Sequence, residues 1–353
     1  MQRTVGLWVV LALLVVFAVG CTVEDDGGSK YDPNAIVITA NITSPTTWQG
    51  DKVYVIEGSI SVTSTLTIPA GTIIKFAPDS GMVTSGSGLV DASAGIALNP
   101  ITFTSVKDDS LGGDTNLDGV ASSPGRRDWN EIRIQANGSL FNYCNFYYGG
   151  GDVDPTLWID NVSASVTYCT FAHNDGTLYG ALDLGFASAG TVVTGNRFYD
   201  NVMPLRINTT FNVDASNSFS NLAGTIFNTR NGIFVSSWGT ITGAISWSET
   251  DVAYVVTAHV QINAGQSLTL ADNVVLKFVS PTDGYIGFSP GTLVEGTGVE
   301  YTSYKDDTLK GDTNGDVSAT SPAVGDWLGI SDDNAAAPYV TGWGNIFYAA
   351  NSN

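Results

Sequence analysis

NYCNFYYGG at 142–150, TYCTFAHND at 167–175, GNRFYDN at 195–201 and SNSFSN at 216–221 carry one recurring pattern. They place Phe146, Phe171, Phe198 and Phe219 at spacings of 25, 27 and 21 residues. A second set, IRI, LWI, LDL and LRI, places Ile132, Leu157, Leu182 and Leu205 at spacings of 25, 25 and 23. Apolar residues two apart are the period of a strand, whose side chains point alternately to opposite faces. Short strands at such intervals, with Gly, Asn and Asp between them and no helical period, predict the coils of a solenoid. Each coil rises by about 4.8 Å, so like residues stack. The Phe column is then interior. Asn174, Asn201 and Asn221, which follow the phenylalanines at turn positions, are expected to form an amide ladder.

A longer repeat encloses this one. TTWQGDKVYVI at 46–56 answers AISWSETDVAYVV at 244–256, and LTIPAGTIIKF at 66–76 answers LTLADNVVLKF at 268–278. ITFTSVKDD at 101–109 answers VEYTSYKDD at 299–307, and RDWNEI at 127–132 answers GDWLGI at 325–330. The preserved order marks a duplicated module. The first copy is read as 36–240 with an acidic loop at 107–128, and the second, partial copy as 241–353 with an acidic loop at 305–326. The second copy stops at NIFYAANSN, so its last coil is either short and capped or an open edge.

The acidic loops repeat KDDSLGGDTNLDG (107–119) as KDDTLKGDTNGDV (305–317). Asp114, Asn116 and Asp118, and again Asp312, Asn314 and Asp316, put oxygen side chains at alternate positions. A tight loop turns such a set onto one hard cation. Asp108, Asp109, Asp306 and Asp307 lie upstream and could complete a shell of about six to eight oxygens. Ca²⁺ is the expected ion, in a structural role. The alternative is a solvated loop whose Asp and Asn side chains only make turns. The pattern is not an EF-hand, because Gly125 stands where a bidentate Glu would be needed and strands flank the loop. Trp129 and Trp327, after the Asp that ends each loop, are expected to cover the coil there.

If Ile132, Leu157, Leu182 and Leu205 point inward, then Arg133, Trp158, Asp183 and Arg206 form an outward column. Such a row could hold an acidic sugar chain, with Trp stacking on a ring and Arg pairing with a carboxylate. The plainer alternative is a surface ion pair between Asp183 and Arg206, bordered by the Trp. Cys144 and Cys169 fall on adjacent coils at a separation that permits either a disulfide or two stacked thiols.

The 353 residues are 43% hydrophobic and 14% charged, with 40 glycines, which suits a strand-rich globular chain. Formal charge is −20, and a surface so acidic repels nucleic acid. Residues 1–20 hold one Arg, an apolar run from Val5 to Val19 and a small residue before Cys21, which reads as a secretory signal. The string Ala18, Val19, Gly20, Cys21 resembles the bacterial lipobox, with Ala18 where Leu is usual. That resemblance implies a lipid on Cys21, a tether over 21–35 and a place in the bacterial cell envelope, at the outer membrane or cell surface.

Taken together, LTIPAGTIIKF, FAHND, FYDN and the two acidic loops resemble the right-handed parallel β-helices of the pectate-lyase-like superfamily, of the type found in bacterial surface lipoproteins. The resemblance covers roughly residues 45–350 and implies an all-β fold. Superfamily members that cleave pectate use carboxylate-held Ca²⁺ and an Arg base. WIDN at 158–161 echoes their WIDH, with Asn161 in place of His, and Arg206 after Pro204 echoes their Arg and Pro cluster. The motifs of the related polygalacturonases are absent. The favoured expectation is a non-catalytic surface protein for glycan or protein contact. A polysaccharide lyase or hydrolase and a structural spacer are the alternatives.

Overall fold

The computed structural model describes residues 29–236, 239–333, 335 and 338–351. Residues 1–28, on which the expected secretory signal and lipidated Cys21 fall, lie outside the described residues. Among the latter, no helix is long and apolar enough to cross a membrane. The chain is an all-β, right-handed parallel β-helix of about ten coils. Its walls are sheets of seven, ten, six, four and three strands. The ten-stranded sheet is the spine, taking one strand per coil from Ser59–Val62 to Glu300–Ser303.

The sequence period sets the register. Ile132, Leu157, Leu182 and Leu205 pair in succession, and all four are fully buried. The column continues through Met82 on one side and through Ile233, Tyr254, Leu276 and Tyr301 on the other. Phe103, Phe146, Phe171 and Phe198 on the seven-stranded sheet, and Phe219 just past its last strand, form one run of rings, with centroids 5.0, 4.7, 5.0 and 5.4 Å apart. Burying a Phe side chain contributes about 1.5–3 kcal/mol. A change in any one ring is felt by its neighbours above and below.

The amide ladder differs from its expected composition. Asn174 Nδ2 donates to Asn201 Oδ1 at 2.9 Å, and Asn201 Nδ2 donates to Asn228 Oδ1 at 2.8 Å. Asn221 is not in this ladder. Its Oδ1 instead accepts from the backbone N–H groups of Thr225 and Ile226 and closes an exposed loop. The physical reason is an outward excursion between Phe219 and Asn228, pinned by the Ser220 to Phe227 bridge. A second ladder joins Asn196 Nδ2 to Asn217 Oδ1 at 3.1 Å. Cys144 and Cys169 are adjacent, buried and free, the Cys144 N–H donating to Cys169 Sγ at 3.4 Å. Burial and the second thiol push the Cys144 thiol well above its ordinary range.

The duplicated strands change face. Val53–Ile56, Ile73–Phe76 and Ile101–Ser105 lie in the seven-stranded sheet, whereas their counterparts Ala253–Val256, Val275–Phe278 and Glu300–Ser303 end the ten-stranded sheet. Local packing is nevertheless kept. Trp129 stacks on Phe76 at 4.3 Å and Trp327 on Phe278 at 4.1 Å, both fully buried. Each indole N–H finds a carbonyl at 2.8 Å, Tyr147 O and Phe347 O. Parallel bridges from Tyr301 to Ile346 and from Trp327 to Ala349 lay the segment 346–349 over the last coil.

Candidate cation loops and the arginine-aromatic face

Each acidic loop folds back over the outer side of the sheet it leaves. Under the first lies Lys75, fully buried, its ammonium donating to Asp108 O and Gly113 O at 2.8 Å. Under the second lies Lys277, also fully buried, donating to Gly311 O at 2.6 Å. Burial lowers the pKa of both, that of Lys277 to about 8, against the opposing pull of nearby carboxylates. Sequence reading passed over these two lysines, although each stands in a repeated strand, TIIKF and VVLKF.

Above each lysine three carboxylates converge. One oxygen from each of Asp109, Asp114 and Asp118 lies within 4.8 Å of the others, and Asp307, Asp312 and Asp316 repeat the arrangement. Asp108 and Asp306 stand apart. They accept from Thr104 Oγ1 at 2.8 Å and Thr302 Oγ1 at 2.6 Å, and so tie the loop bases to the coil. Asn116 and Asn314 donate to Asp118 and Asp316 at 2.8 and 3.0 Å, which turns each amide into its cluster.

The loop conformation is held from within. Asp114 accepts from the N–H groups of Asp118 and Gly119, and Asp312 from those of Gly315 and Val317. Gly119 has φ +71°, and Val317, its counterpart, keeps the same left-handed region at φ 55°. A β-branched residue there costs on the order of 1–3 kcal/mol, so the surrounding contacts must impose the shape.

The fit to a cation rests on orphaned oxygens. Asp109 Oδ1, Asn116 Oδ1 and Asp118 Oδ1 in the first loop, and Asp307 Oδ1 in the second, are buried and accept no hydrogen bond. Acceptors without a donor are what a bound cation would satisfy. Burial and then Asp114 raise the Asp109 carboxyl, and burial and then Asp312 raise that of Asp307. Hydrogen bonds from Ser122 and Thr320 lower Asp118 and Asp316. The donor set is all oxygen and suits a hard divalent ion such as Ca²⁺.

The outward column also forms in register, Arg133 beside Trp158, Trp158 beside Asp183, and Asp183 beside Arg206. Its members are engaged with one another. Arg206 grips the fully buried Asp183 bidentately, at 2.8 Å from Nε and 2.6 Å from Nη2. Arg133 brings Nε and Nη2 to one oxygen, Asp160 Oδ2, at 3.0 and 2.6 Å, and Gln135 Nε2 adds a third donor to it at 2.8 Å. Burial raises the Asp183 carboxyl despite Arg206. At Asp160 burial is outweighed by the bonds from Gln135 and Arg133, which hold it low.

The Arg133 guanidinium lies 3.9 Å from the Trp158 ring, Tyr179 stacks beyond that ring at 6.4 Å, and Arg206 sits 4.4 Å over Tyr179. The result is a charge-compensated stripe of guanidinium and aromatic layers. Tyr179 and Asp160 join it from loops, and Glu131 stands at its edge, its carboxyl raised to about 7 by burial and then by Asp154.

The fold and its loops thus define a class: a parallel β-helix carrying two acidic clusters over buried lysines and one arginine-aromatic stripe. No protein-family model, curated protein or solved structure matches the chain.

Proposed function

We propose that this is a lipid-anchored protein of the bacterial cell envelope, similar to the pectate-lyase-like β-helices, whose acidic loops bind structural Ca²⁺ and whose outer faces make non-catalytic contact with glycan or protein. The observation that carries the calcium reading is that buried, donor-less oxygens, three in the first loop and one in the second, occur where three carboxylates converge. Asp109, Asp114, Asn116 and Asp118 would hold one ion, and Asp307, Asp312, Asn314 and Asp316 the other. The ion would supply charge compensation and loop rigidity.

The non-catalytic reading is supported by the engagement of Arg133 and Arg206 with internal carboxylates, which leaves neither guanidinium as a ready base. A lyase or hydrolase reading draws on one contrary observation, the raised Glu131 carboxyl beside Arg133. The test uses the chain from Thr22 onward, in Ca²⁺ and in chelator. Calcium at 100 times its dissociation constant should add about 2.7 kcal/mol of stability per site. Equal thermal stability in Ca²⁺ and chelator sinks the calcium reading. Incubation with acidic and neutral polysaccharides settles the rest: retention without new ends supports a contact surface. New unsaturated or reducing ends, lost in Glu131→Gln, make it an enzyme.

A further inference from the structure

The stripe runs toward the second acidic loop and ends in a cleft of about 310 Å³ lined by Arg206, Arg230, Phe234, Tyr304, Met203 and Val279. Ser236 and Thr257 add hydroxyls to its wall. Its charge is unusual for so acidic a chain. Among the described arginines only Arg197 and Arg230 have no carboxylate within ion-pair distance. Arg197 is instead bound to its own coil, through Ser218 Oγ and Ser220 O. Arg230 donates to Thr177 O, sits 5.6 Å over the Phe234 ring and shares the cleft with Tyr304.

Arg206 brings a charge already balanced by Asp183, so Arg230 is the one arginine of the cleft without an ion-pair partner. Two of the five N–H donors of Arg206 are used on Asp183, which leaves others for a ligand. Asp312 and Asp316 are felt at Tyr304 without pairing with Arg230, and their carboxylates are turned to the backbone N–H groups of their own loop. The remaining wall is mixed: Thr177, Ser236 and Thr257 lie beside Leu178, Val279 and the pair Phe234 and Met203, which pack with Val255 and Tyr304.

We infer that this cleft is a binding site for a small organic monocarboxylate with an apolar body, its carboxylate held by Arg230 with help from Arg206 and its body against Phe234, Met203 and Val279. The volume lies at the lower end of ligand pockets, roughly 300–1,000 Å³, which admits one ring or a short chain. A guanidinium fork is the side chain best matched to a carboxylate. The site shares Arg206 with the stripe, but the proposal does not rest on glycan contact there.

The probe is 3-phenylpropionate, titrated in Ca²⁺ against the folded chain from Thr22 onward and followed by ligand-observed NMR. The neutral 3-phenylpropanamide and the polar carboxylate glucuronate run beside it. Saturable binding of 3-phenylpropionate is expected, with the amide and glucuronate each at least tenfold weaker. Arg230→Gln should weaken it at least tenfold, while Arg197→Gln leaves it unchanged. Arg230→Lys loses the same Thr177 contact but keeps the charge, and should retain saturable binding, which separates loss of charge from loss of fold. Equal binding of the amide, equal binding of glucuronate, no saturable binding, or an unaffected Arg230→Gln variant would each overturn the proposal.

Discussion

Truncation of Asn201 to Ala tests whether the interior amide ladder holds the coils in register. Asn201 is fully buried, and its Oδ1 accepts from both the backbone N–H and the side-chain amide of Asn174, at 3.1 and 2.9 Å. Its Nδ2 donates to Phe171 O at 2.9 Å and to Asn228 Oδ1 at 2.8 Å. After truncation Asn174 Nδ2 keeps Phe146 O, and Asn228 Oδ1 keeps the Asn201 backbone N–H. The Asn174 N–H loses its partner and Phe171 O loses an amide donor.

Two such buried groups at about 1–3 kcal/mol each, with a small cavity term, give a cost of about 3–5 kcal/mol. Asn221→Ala serves as the control. Its bonds to Thr225 and Ile226 are exposed and water replaces them, so about 0.5–1 kcal/mol is expected. Asn201→Asp should cost at least as much as Asn201→Ala, because a carboxylate would face Asn228 Oδ1 and Phe171 O with no proton to give. Urea denaturation followed by both tryptophan fluorescence and circular dichroism measures the differences, with coincident transitions as the check on two-state behaviour. An Asn201→Ala variant within 1 kcal/mol of Asn221→Ala, by this route, refutes the ladder's role.

Three other expectations follow from buried charge and burial. Glu249, 1% exposed, has its carboxyl raised to about 7 by burial, so between an unfolded value near 4.5 and 7 the folded chain binds the extra proton. Stability should therefore fall as pH rises through that window, by up to about 3 kcal/mol, and Glu249→Gln should remove that part of the slope; an identical pH profile for the variant contradicts it. Arg206→Met leaves Asp183 buried without its counter-charge and should cost about 3–5 kcal/mol in urea, whereas Arg206→Met with Asp183→Leu recovers most of that. Cys144 and Cys169, free and no more than 1% exposed, should resist a thiol reagent until the chain unfolds, and fast labelling of the native protein would show that the coil opens there.

The parts legible in sequence were those written as periods. Phe146, Phe171 and Phe198 repeat at nearly constant intervals because each must stack on the next, and the strand alternation at Ile132 and Leu157 carries the register with it. Asn221 misled because type and neighbourhood were right but the offset was not: it follows its Phe by two residues, whereas Asn174 and Asn201 follow theirs by three. Lys75 and Lys277 escaped because a lysine in a strand reads as a solvent-facing residue, and only the folded loop above shows that it is covered. Asp160 was legible as a neighbour of the row, two residues after Trp158, whereas Tyr179 came from a loop, where no period points. The alternation of Asp114, Asn116 and Asp118 did foreshadow the convergence, but it could not separate Asp108, which binds Thr104, from Asp109, which joins the cluster.

A repeat gives order along the chain and leaves open which face of the coil each copy occupies. Between Leu205–Ile207 and Gly232–Val235, consecutive strands of one sheet, the chain makes a circuit with only isolated bridges. After it, the second copy begins on a different face. That shift puts Lys277 in register with Val255 and Phe234, and so in the same outer column as Arg206, Asp183, Trp158 and Arg133. Lys75, its counterpart, lies on the seven-stranded sheet instead. Two features that look unrelated in sequence, the second acidic loop and the arginine column, are therefore neighbours on one face, and Tyr304 at the start of that loop closes the cleft where the column ends. The first loop borders a different set, with Arg126 and Arg127 paired to Asp200 and Asp175 and Tyr147 and Tyr148 near Asp108. Mutation of Asp312 should therefore disturb the arginine cleft, and mutation of Asp114 should not, although the two residues are equivalent within their repeats.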